Sequence, residues 1–446
     1  MRLLFTFWLF GTILTWGKWP LVTDPAPSPA VLLREEIKLE EWRGYVIITA
    51  VEGELRGEAE RKSAPVLLRG RGRHELVERI LATSGGLPNC MVRSYKHASV
   101  EVDVAGERLV KTLRPPRSCI FYGRLPDGTR GFCPQGPLTR DELEIVTEHL
   151  APSMLAGLLP GKVVMVGQTW KISETVLREV CLLDAVVESH VEGKLLSIQD
   201  AFANFAIQGK VRGIDKGAQV TLQLDGKGRY DRRSGQIQEF QWVQEDERTA
   251  GWWNPASRLR IRVHVQRQEM EVPGEGCSRP DVLHPQMWQQ PKAEFLRLEV
   301  EGPKKSYRLT YGREWYILGE TTDHLMMRLV EQGVPIAQLT LTHWRRAPGN
   351  RTEQIAEFRK AVAATPGWKP DKLLHEGEVN VGGQRTYRIV QEGKIGDQKI
   401  IQRFWLIMAP RGEQLVMTVT LPPEHQQRFG DKDVELIQSL VFLPSP

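Results

Sequence analysis

The strongest constraint on this chain is the alternation of apolar and polar residues in run after run. Val100, Val102 and Val104 are interleaved with Ser99, Glu101 and Asp103. The same pattern carries Ala203, Phe205 and Ile207, then Val220, Leu222 and Leu224, then Phe240 and Trp242, then Leu259, Ile261, Val263 and Val265. A period of two sends successive side chains to opposite faces, so each run predicts a half-buried strand. The connections are short. Ala105-Gly106-Glu107 turns toward Leu109–Leu113, Leu125-Pro126-Asp127-Gly128 combines proline's set φ with glycine's free one, and Tyr230–Gly235 joins two further strands. Alternating runs joined by short turns specify an antiparallel meander with a dry face and a wet face.

Helical patterns interrupt the meander. Thr139-Arg140-Asp141-Glu142 is a capping box, with Leu143, Val146 and Leu150 as the stripe behind it. Ser173 opens a second helix carrying Val176, Leu177, Val180 and Leu183. Residues 271–292 (EVPGEGCSRPDVLHPQMWQQPK) hold four prolines and no apolar period, which marks a linker and a domain boundary. Beyond it, Ser306–Tyr311, Trp315–Gly319, Leu325–Val330 and Ile336–Trp344 read as strands. Thr352 opens a helix ended by Pro366-Gly367, Leu415–Leu421 is a later strand, and Asp433–Leu440 is a last amphipathic segment. The fold class is therefore α+β: an antiparallel sheet with covering helices over residues 40–270, then a smaller α+β sandwich over 293–446.

The first residues set an address. Arg2 precedes Leu3–Trp16, an uncharged apolar run, and Lys18 and Pro20 close it. That run is shorter than the ~20 residues of a membrane-spanning helix and matches a signal peptide or an uncleaved N-terminal anchor over residues 1–20, with 21–39 as a linker. The expected location is exported, in the periplasm or cell envelope, with membrane contact only through this segment.

Composition excludes other classes. Lys and Arg number 60 against 55 Asp and Glu, a net charge of +5, so no electrostatic footprint for nucleic acid exists. No CxxC pair, HExxH, GxSxG or GxGxxG occurs in the chain. Ala156–Val163 imitates a phosphate-binding loop through Lys162, but Val163 cannot ligate magnesium and the residues after it read as a strand. His74, His149 and His375 read as capping or solvated surface residues, and Glu35-Glu36 and Glu40-Glu41 as solvated carboxylates of the linker. Arg69, Arg71 and Arg73 form the concentrated basic patch, read as a wet strand edge or as a phosphate-headgroup contact. Trp252-Trp253 either lips a pocket or folds back on its own sheet. No metal, cofactor or catalytic residue is assigned.

Leu159-Pro160-Gly161-Lys162-Val163 with Val166-Gly167-Gln168-Thr169-Trp170, followed by Tyr230-Asp231 and Gly235-Gln236-Ile237, resembles an element of exported planctomycete-type proteins. Their domain is similar to the lipoprotein-carrier half-barrel (LolA/LppX-like), a resemblance that spans roughly residues 40–270. Residues 293–446 resemble the PsbP-like α+β fold through Gly383–Arg388, Arg403–Leu406, Leu415–Leu421 and Ile437–Phe442. The resemblances imply binding of lipids or proteins without turnover: an apolar ligand in the half-barrel and an envelope protein partner on the C-terminal domain. A purely structural or assembly role in the envelope is the alternative, and an enzyme of unrecognised type the remote one.

Two groups of residues follow as candidates. Phe205, Ile207, Leu222, Leu224, Phe240 and Trp242 share the dry face with Ala203 and Val220; they line an apolar cavity if the helices stand off, and are core if the helices fill it. Cys119 and Cys133 flank a hairpin and form a disulfide if the register sets them opposite each other, with Cys90 as rival partner and free thiols as the third outcome.

Overall fold

The computed structural model describes residues 29–56, 64–125, 128–147, 149–251, 255–272, 277, 291–344, 350–409 and 412–444. The apolar run at 3–16, Trp252-Trp253 and most of the Pro-rich connection lie outside the described residues.

The chain begins with β1 (Ala30–Leu33). The long strands β2 (Trp42–Arg56), β3 (Val66–Ser84) and β4 (Leu87–Val104) follow. Next come β5 (Glu107–Thr112), β6 (Cys119–Leu125) and β7 (Gly128–Phe132). A covering segment holds α1 (Arg140–Ile145), a 3-10 turn at Pro152–Leu158, β8 (Lys162–Met165), β9 (Thr169–Lys171) and α2 (Glu174–Val180). The meander then runs through β10 (Ala185–Gln199), β11 (Phe202–Asp215), β12 (Ala218–Asp231), β13 (Gln236–Arg248) and β14 (Ala256–Gln268). All but β1 and β8 join one open antiparallel sheet of twelve strands, in the order β7-β6-β4-β3-β2-β14-β13-β12-β11-β10-β9 with β5 on β4. The covering helices lie between β7 and β10 in sequence, and their buried residues join the inner-face core.

That inner face is laid down in register rows. One row runs Leu195, Phe205, Gly228, Phe240, Val265, Ile47, His74, Ala98 from β10 to β4. The next runs Trp170, Gly193, Ile207, Gly226, Trp242, Val263, Thr49, Gly72, Val100. Strand β12 alternates buried and exposed residues along nearly its whole length, as its sequence requires. Large rings sit over glycines: Phe205 lies on Gly228, Trp170 on Gly193, and Phe240 and Trp242 on Gly226. Ring centroids step across the sheet at 6.3 Å (Trp170–Phe205), 5.8 Å (Phe205–Phe240) and 6.1 Å (Phe240–Trp242). Without a Cβ, the glycine strand lets the ring come down onto backbone, so one buried layer holds side chains that would otherwise collide.

The opposite, wet face carries a charge ladder. One row reads Glu245, Arg260, Glu52, Arg69, Asp103, Arg108, alternating in sign across six strands. Opposite charges directly across a strand pair stabilise, and like charges would repel. The Arg69–Arg73 patch therefore faces carboxylates. It also lies on an interior strand, between β2 and β4, and not on an edge as one of its readings had it.

After the connection come α3 (Ala293–Leu296), β15 (Leu298–Glu301), β16 (Tyr307–Tyr311), β17 (Trp315–Glu320), β18 (His324–Glu331) and β19 (Val334–Trp344). Then follow α4 (Arg351–Ala363), β20 (Trp368–Val381), β21 (Gln384–Ile395), β22 (Gln398–Met408), β23 (Gln414–Leu421), α5 (Gln426–Phe429), α6 (Lys432–Ser439) and β24 (Val441–Phe442). A seven-stranded antiparallel sheet, β17-β18-β19-β23-β22-β21-β20, stands beside a three-stranded one, β15-β16-β24. Helix α4 packs its Ile355, Phe358 and Val362 on one face of the larger sheet. The capping box at Thr139 forms as expected, and its Glu142 also takes Arg114 in a bidentate pair while Arg114 reaches Glu299 at 2.6 Å. Arg140 donates to the carbonyls of Arg313 and Trp315 at 2.8 Å, so α1 ties the two regions together.

Three expectations need correction. Residues 30–33, read as linker, form a strand paired with β8, and Leu33 is fully buried. Glu35 is buried and bound: it accepts from Arg43 at 3.1 Å, Arg267 at 2.6 Å and the amide of Ile237 at 3.0 Å. The third is the cysteine pairing. The hairpin pairs Phe121 with Phe132 and Tyr122 with Gly131, one residue away from the register that would set Cys119 opposite Cys133. A one-residue slip reverses faces. Cys119 accordingly joins the outer-face cluster of Cys90, Val92, Phe121 and Phe132 and is bridged to Cys277, while Cys133 is a free, buried thiol on the inner side. Peptide mapping without reductant should recover a Cys119–Cys277 crosslink, with Cys90, Cys133 and Cys181 alkylated only after unfolding.

Two glycines of one register row give a second test. A Cβ on Gly226 meets Phe240 at 2.8 Å and Trp242 at 3.0 Å, whereas one on Gly72 meets nothing closer than 3.5 Å. Gly226→Ala should cost roughly 1–3 kcal/mol by overpacking and Gly72→Ala less than about 0.5 kcal/mol, read from urea unfolding.

Candidate functional site

The six residues expected to line an apolar cavity are indeed on one face, and all six are buried. They belong to one contiguous cluster with Val146, Leu150, Val176, Leu177 and Val180 from the covering segment. Phe205, Ile207, Leu224, Phe240 and Trp242 are packed core, while Leu222 also borders a cavity of about 840 Å³ at the strand ends with Leu68, Leu259 and Asp246.

Open space on the inner face lies at the other end of the strands. Along β13 the inward positions run Phe240, Trp242, Gln244, Asp246, Arg248, passing from aromatic to polar. Gln244 and Asp246 are 1% and 2% exposed. Beside Arg248 a cleft of about 440 Å³ opens between the sheet and the covering segment; Gln244 and Asp246 lie behind its lining, and Asp246 borders a separate cavity. Met91 and Tyr122 from one arm of the sheet border it, as do Asp215 and Arg248 from the other, with His149 and Met154 between them. Both arms reach one cleft, so the sheet curls around its covering segment.

The polar groups here are only partly satisfied. Arg248 pairs with Asp215 and reaches Asp246 at 3.3 Å. Trp242 donates to Oε1 of Gln244 at 3.4 Å. Asp184 holds the amide of Lys216 at 2.6 Å. On the far wall Arg93 is buried on Glu78 at 2.8 Å and over the ring of Tyr122, whose hydroxyl donates to the carbonyl of Val146 at 2.8 Å. Left without a partner among the described residues are Nδ1 of His149, Nε of Arg248, Oδ1 of Asp246 and Nε2 of Gln244, all buried. Buried polar atoms without partners are rare and each costs about 1–3 kcal/mol, which marks the place for a water or a ligand.

Burial also sets the protonation states. It lowers the His149 imidazole to about 4, with the Arg248 charge acting in the same direction and Asp215 against it. Burial raises the carboxyls of Asp184 and Asp246, in the latter case against Arg248, and it raises the Cys181 thiol. His149 is thus neutral and Cys181 is a thiol at neutral pH. His74, read from the sequence as a surface residue, is buried in an inner row between Ile47 and Ala98, and the ring nitrogen Nδ1 of His149 is also interior. Among the described residues no group of three potential ligands could hold a metal ion.

Sequence reading missed Gln244, Asp246, Arg248, Asp215 and His149. The signal was present in β13, where the alternation continues past Trp242 with polar residues in the inward positions. Asp215 continues the inward alternation of β11 after Val211 and Gly213, so its signal was present too, whereas His149 lies outside any strand.

No family model matches the chain, and no curated protein matches it. It is similar to several solved structures at low identity. Cyanobacterial PsbP (CyanoP) from Synechocystis sp. PCC 6803 is 13% identical over 33% of this chain and 92% of that one, with a TM-score of 0.25. The Saccharomyces cerevisiae Ran-binding protein Mog1p is 10% identical over 33% of this chain and 95% of that one, with a TM-score of 0.27. A protein of Bacteroides thetaiotaomicron VPI-5482 is 10% identical over 32% of this chain, which spans 48% of that one, with a TM-score of 0.25. Scores of this size carry no conclusion about function.

The His149 shift has a pH signature. Between pH 6.5, its ordinary value, and about 4, the unfolded imidazole binds a proton that the folded one refuses. Its contribution to stability is complete above pH 6.5 and is lost as pH falls toward 4. The raised carboxyls of Asp184 and Asp246 act oppositely in the acid part of this window, so the difference between parent and His149→Asn is the useful quantity. That difference should change by up to ~1.4 kcal/mol per pH unit, the limit for one proton, in urea titrations across the window.

Proposed function

We propose that this protein is a non-catalytic, exported binding protein of the cell envelope. In this reading the first region works in the manner of a lipoprotein-carrier half-barrel and the C-terminal, PsbP-like region docks a protein partner. The observation that carries it is the inner-face cleft, where buried polar atoms without partners stand beside Met91, Met154, Leu182 and Leu183. Such a lining suits a small amphipathic ligand, with its apolar body on the methionines and leucines and its polar group on His149 and Arg248. Because the aromatic rows are filled, the ligand is held at the polar end and not threaded along the sheet.

Binding is favoured over turnover by the titration of His149 in the cleft and of Cys181, buried outside its lining. A general base works best with a pKa near the operating pH, and a His149 held at about 4 is far from it. The Cys181 thiol is pushed the wrong way for a nucleophile.

Native mass spectrometry of the full chain should show a copurifying small molecule. Thr147 is exposed at the cleft, so Thr147→Trp should remove that adduct with a melting temperature within about 2 °C of the parent. No adduct, and no uptake of a fluorescent fatty acid by the parent, would leave a protein that acts only through protein contacts.

A further inference from the structure

The ribbon of β1 and β8 stands apart from the large sheet as its own two-stranded sheet. Its inner side is core: Val31, Leu33 and Val164 are buried. Its outer side pairs Leu32 with Val163 and Ala30 with Met165. Those side chains are about half exposed, with Leu32 at 48%, Val163 at 61% and Met165 at 50%. A strand that follows a polar-out pattern would carry charges here, as the wet face of the large sheet does.

Beside this ridge is a groove of about 470 Å³ bordered by Ala30 and Leu32. Arg34, Lys38, Arg232 and Arg233 wall it, against the single carboxylate of Glu36. Glu36 is taken by Arg34 at 2.8 Å. Two carboxylates stand nearby. Asp231 is engaged by the amide of Arg233 at 2.9 Å and the hydroxyl of Ser234 at 2.9 Å, and Glu41 lies 3.7 Å from Lys38. Arg232 donates one nitrogen to the carbonyl of Asp200 at 3.0 Å, and Arg233, whose charge acts on Asp231, closes no salt bridge among the described residues.

We infer that the β1–β8 ribbon is a membrane-docking face, with Leu32, Val163 and Met165 entering the headgroup–acyl boundary of an anionic phospholipid surface and Arg232 and Arg233 meeting its phosphates. Exposed apolar side chains ringed by Lys and Arg are the combination that binds such an interface. Charge complementarity selects the partner. A stable protein interface needs about 800 Å² per side, far more than a ridge of three side chains on a four-residue strand pair supplies. The path of the chain agrees. It enters the ribbon at Pro29, whose carbonyl accepts from Val166 at 3.1 Å. Only residues 17–29 separate it from the apolar run at 3–16, a reach of at most about 45 Å. This docking face does not depend on the cleft ligand.

The test is sedimentation of the full chain with vesicles of phosphatidylcholine alone and of phosphatidylcholine mixed with phosphatidylglycerol. The parent should bind the mixed vesicles more tightly, and less so as salt is raised. Arg233→Gln should weaken that binding about fivefold, as expected for one basic residue near an anionic surface. Val163→Ser should weaken it on both vesicles. Leu109→Ser, at an exposed apolar residue on β5, should bind as the parent does, and all three variants should melt with it because the altered side chains are exposed or solvent-facing. Parent-like binding by both Arg233→Gln and Val163→Ser would assign vesicle capture to the N-terminal run and overturn the inference. Displacement from mixed vesicles by inorganic phosphate, beyond the effect of chloride at equal ionic strength, would make the groove a phosphate site and overturn it too.

Discussion

The contact between aromatic rings and glycine backbone on the inner face governs much of the first region. Trp170, Phe205, Phe240 and Trp242 fill the space above Gly193, Gly228 and Gly226, and a Cβ at any of those glycines would collide with a ring. The rings therefore lie low in the sheet and leave room for the covering segment to descend onto them. Val176, Leu177 and Val180 of α2 and Leu150 before it close the layer. A sheet this wide stays in register because a one-residue slip would place rings over side chains and turn the dry face outward. The alternating charges of the outer face favour the same register: Glu245, Arg260, Glu52 and Arg69 fall opposite one another only in it.

Filling the aromatic rows decides where binding chemistry is found. Apolar residues at the middle of the sheet are committed to the core, so the available volume is displaced to the end where β13 turns polar. There the covering segment cannot satisfy every group that it buries. Gln244, Asp246, Arg248 and His149 keep atoms without partners among the described residues, and desolvation lowers the His149 imidazole and raises the Asp246 carboxyl. The remaining buried charges are handled differently. Glu35 is shared by Arg43 and Arg267, and Asp433 by Arg403 and Trp405, each carboxylate reaching donors through both oxygens. A buried charge with complete hydrogen bonding holds structure, and one that lacks it invites a ligand.

Local signals in the chain placed many of the elements, though not β1, β2, β3 or β10. Alternation at 203–207, 220–224, 240–242 and 259–265 placed strands, Thr139 and Ser173 placed helix starts, and the later runs placed the C-terminal sheet, because these features depend only on neighbours in sequence. The shared face of Phe205, Ile207, Leu222, Leu224, Phe240 and Trp242 was also legible, since short turns leave antiparallel pairing little choice. Tertiary structure alone decided the rest. Whether that face was cavity or core depended on how closely α2 approached it. The partner of Cys119 depended on a register displaced by one residue and on a cysteine far along the chain. His149, Asp215 and Arg248 share a cleft only because the sheet curls around its covering segment, and the burial of Glu35 required two arginines from separate strands. Period and capping are written in adjacent residues; long-range distance, and with it burial and charge pairing, exists only once the chain has closed on itself.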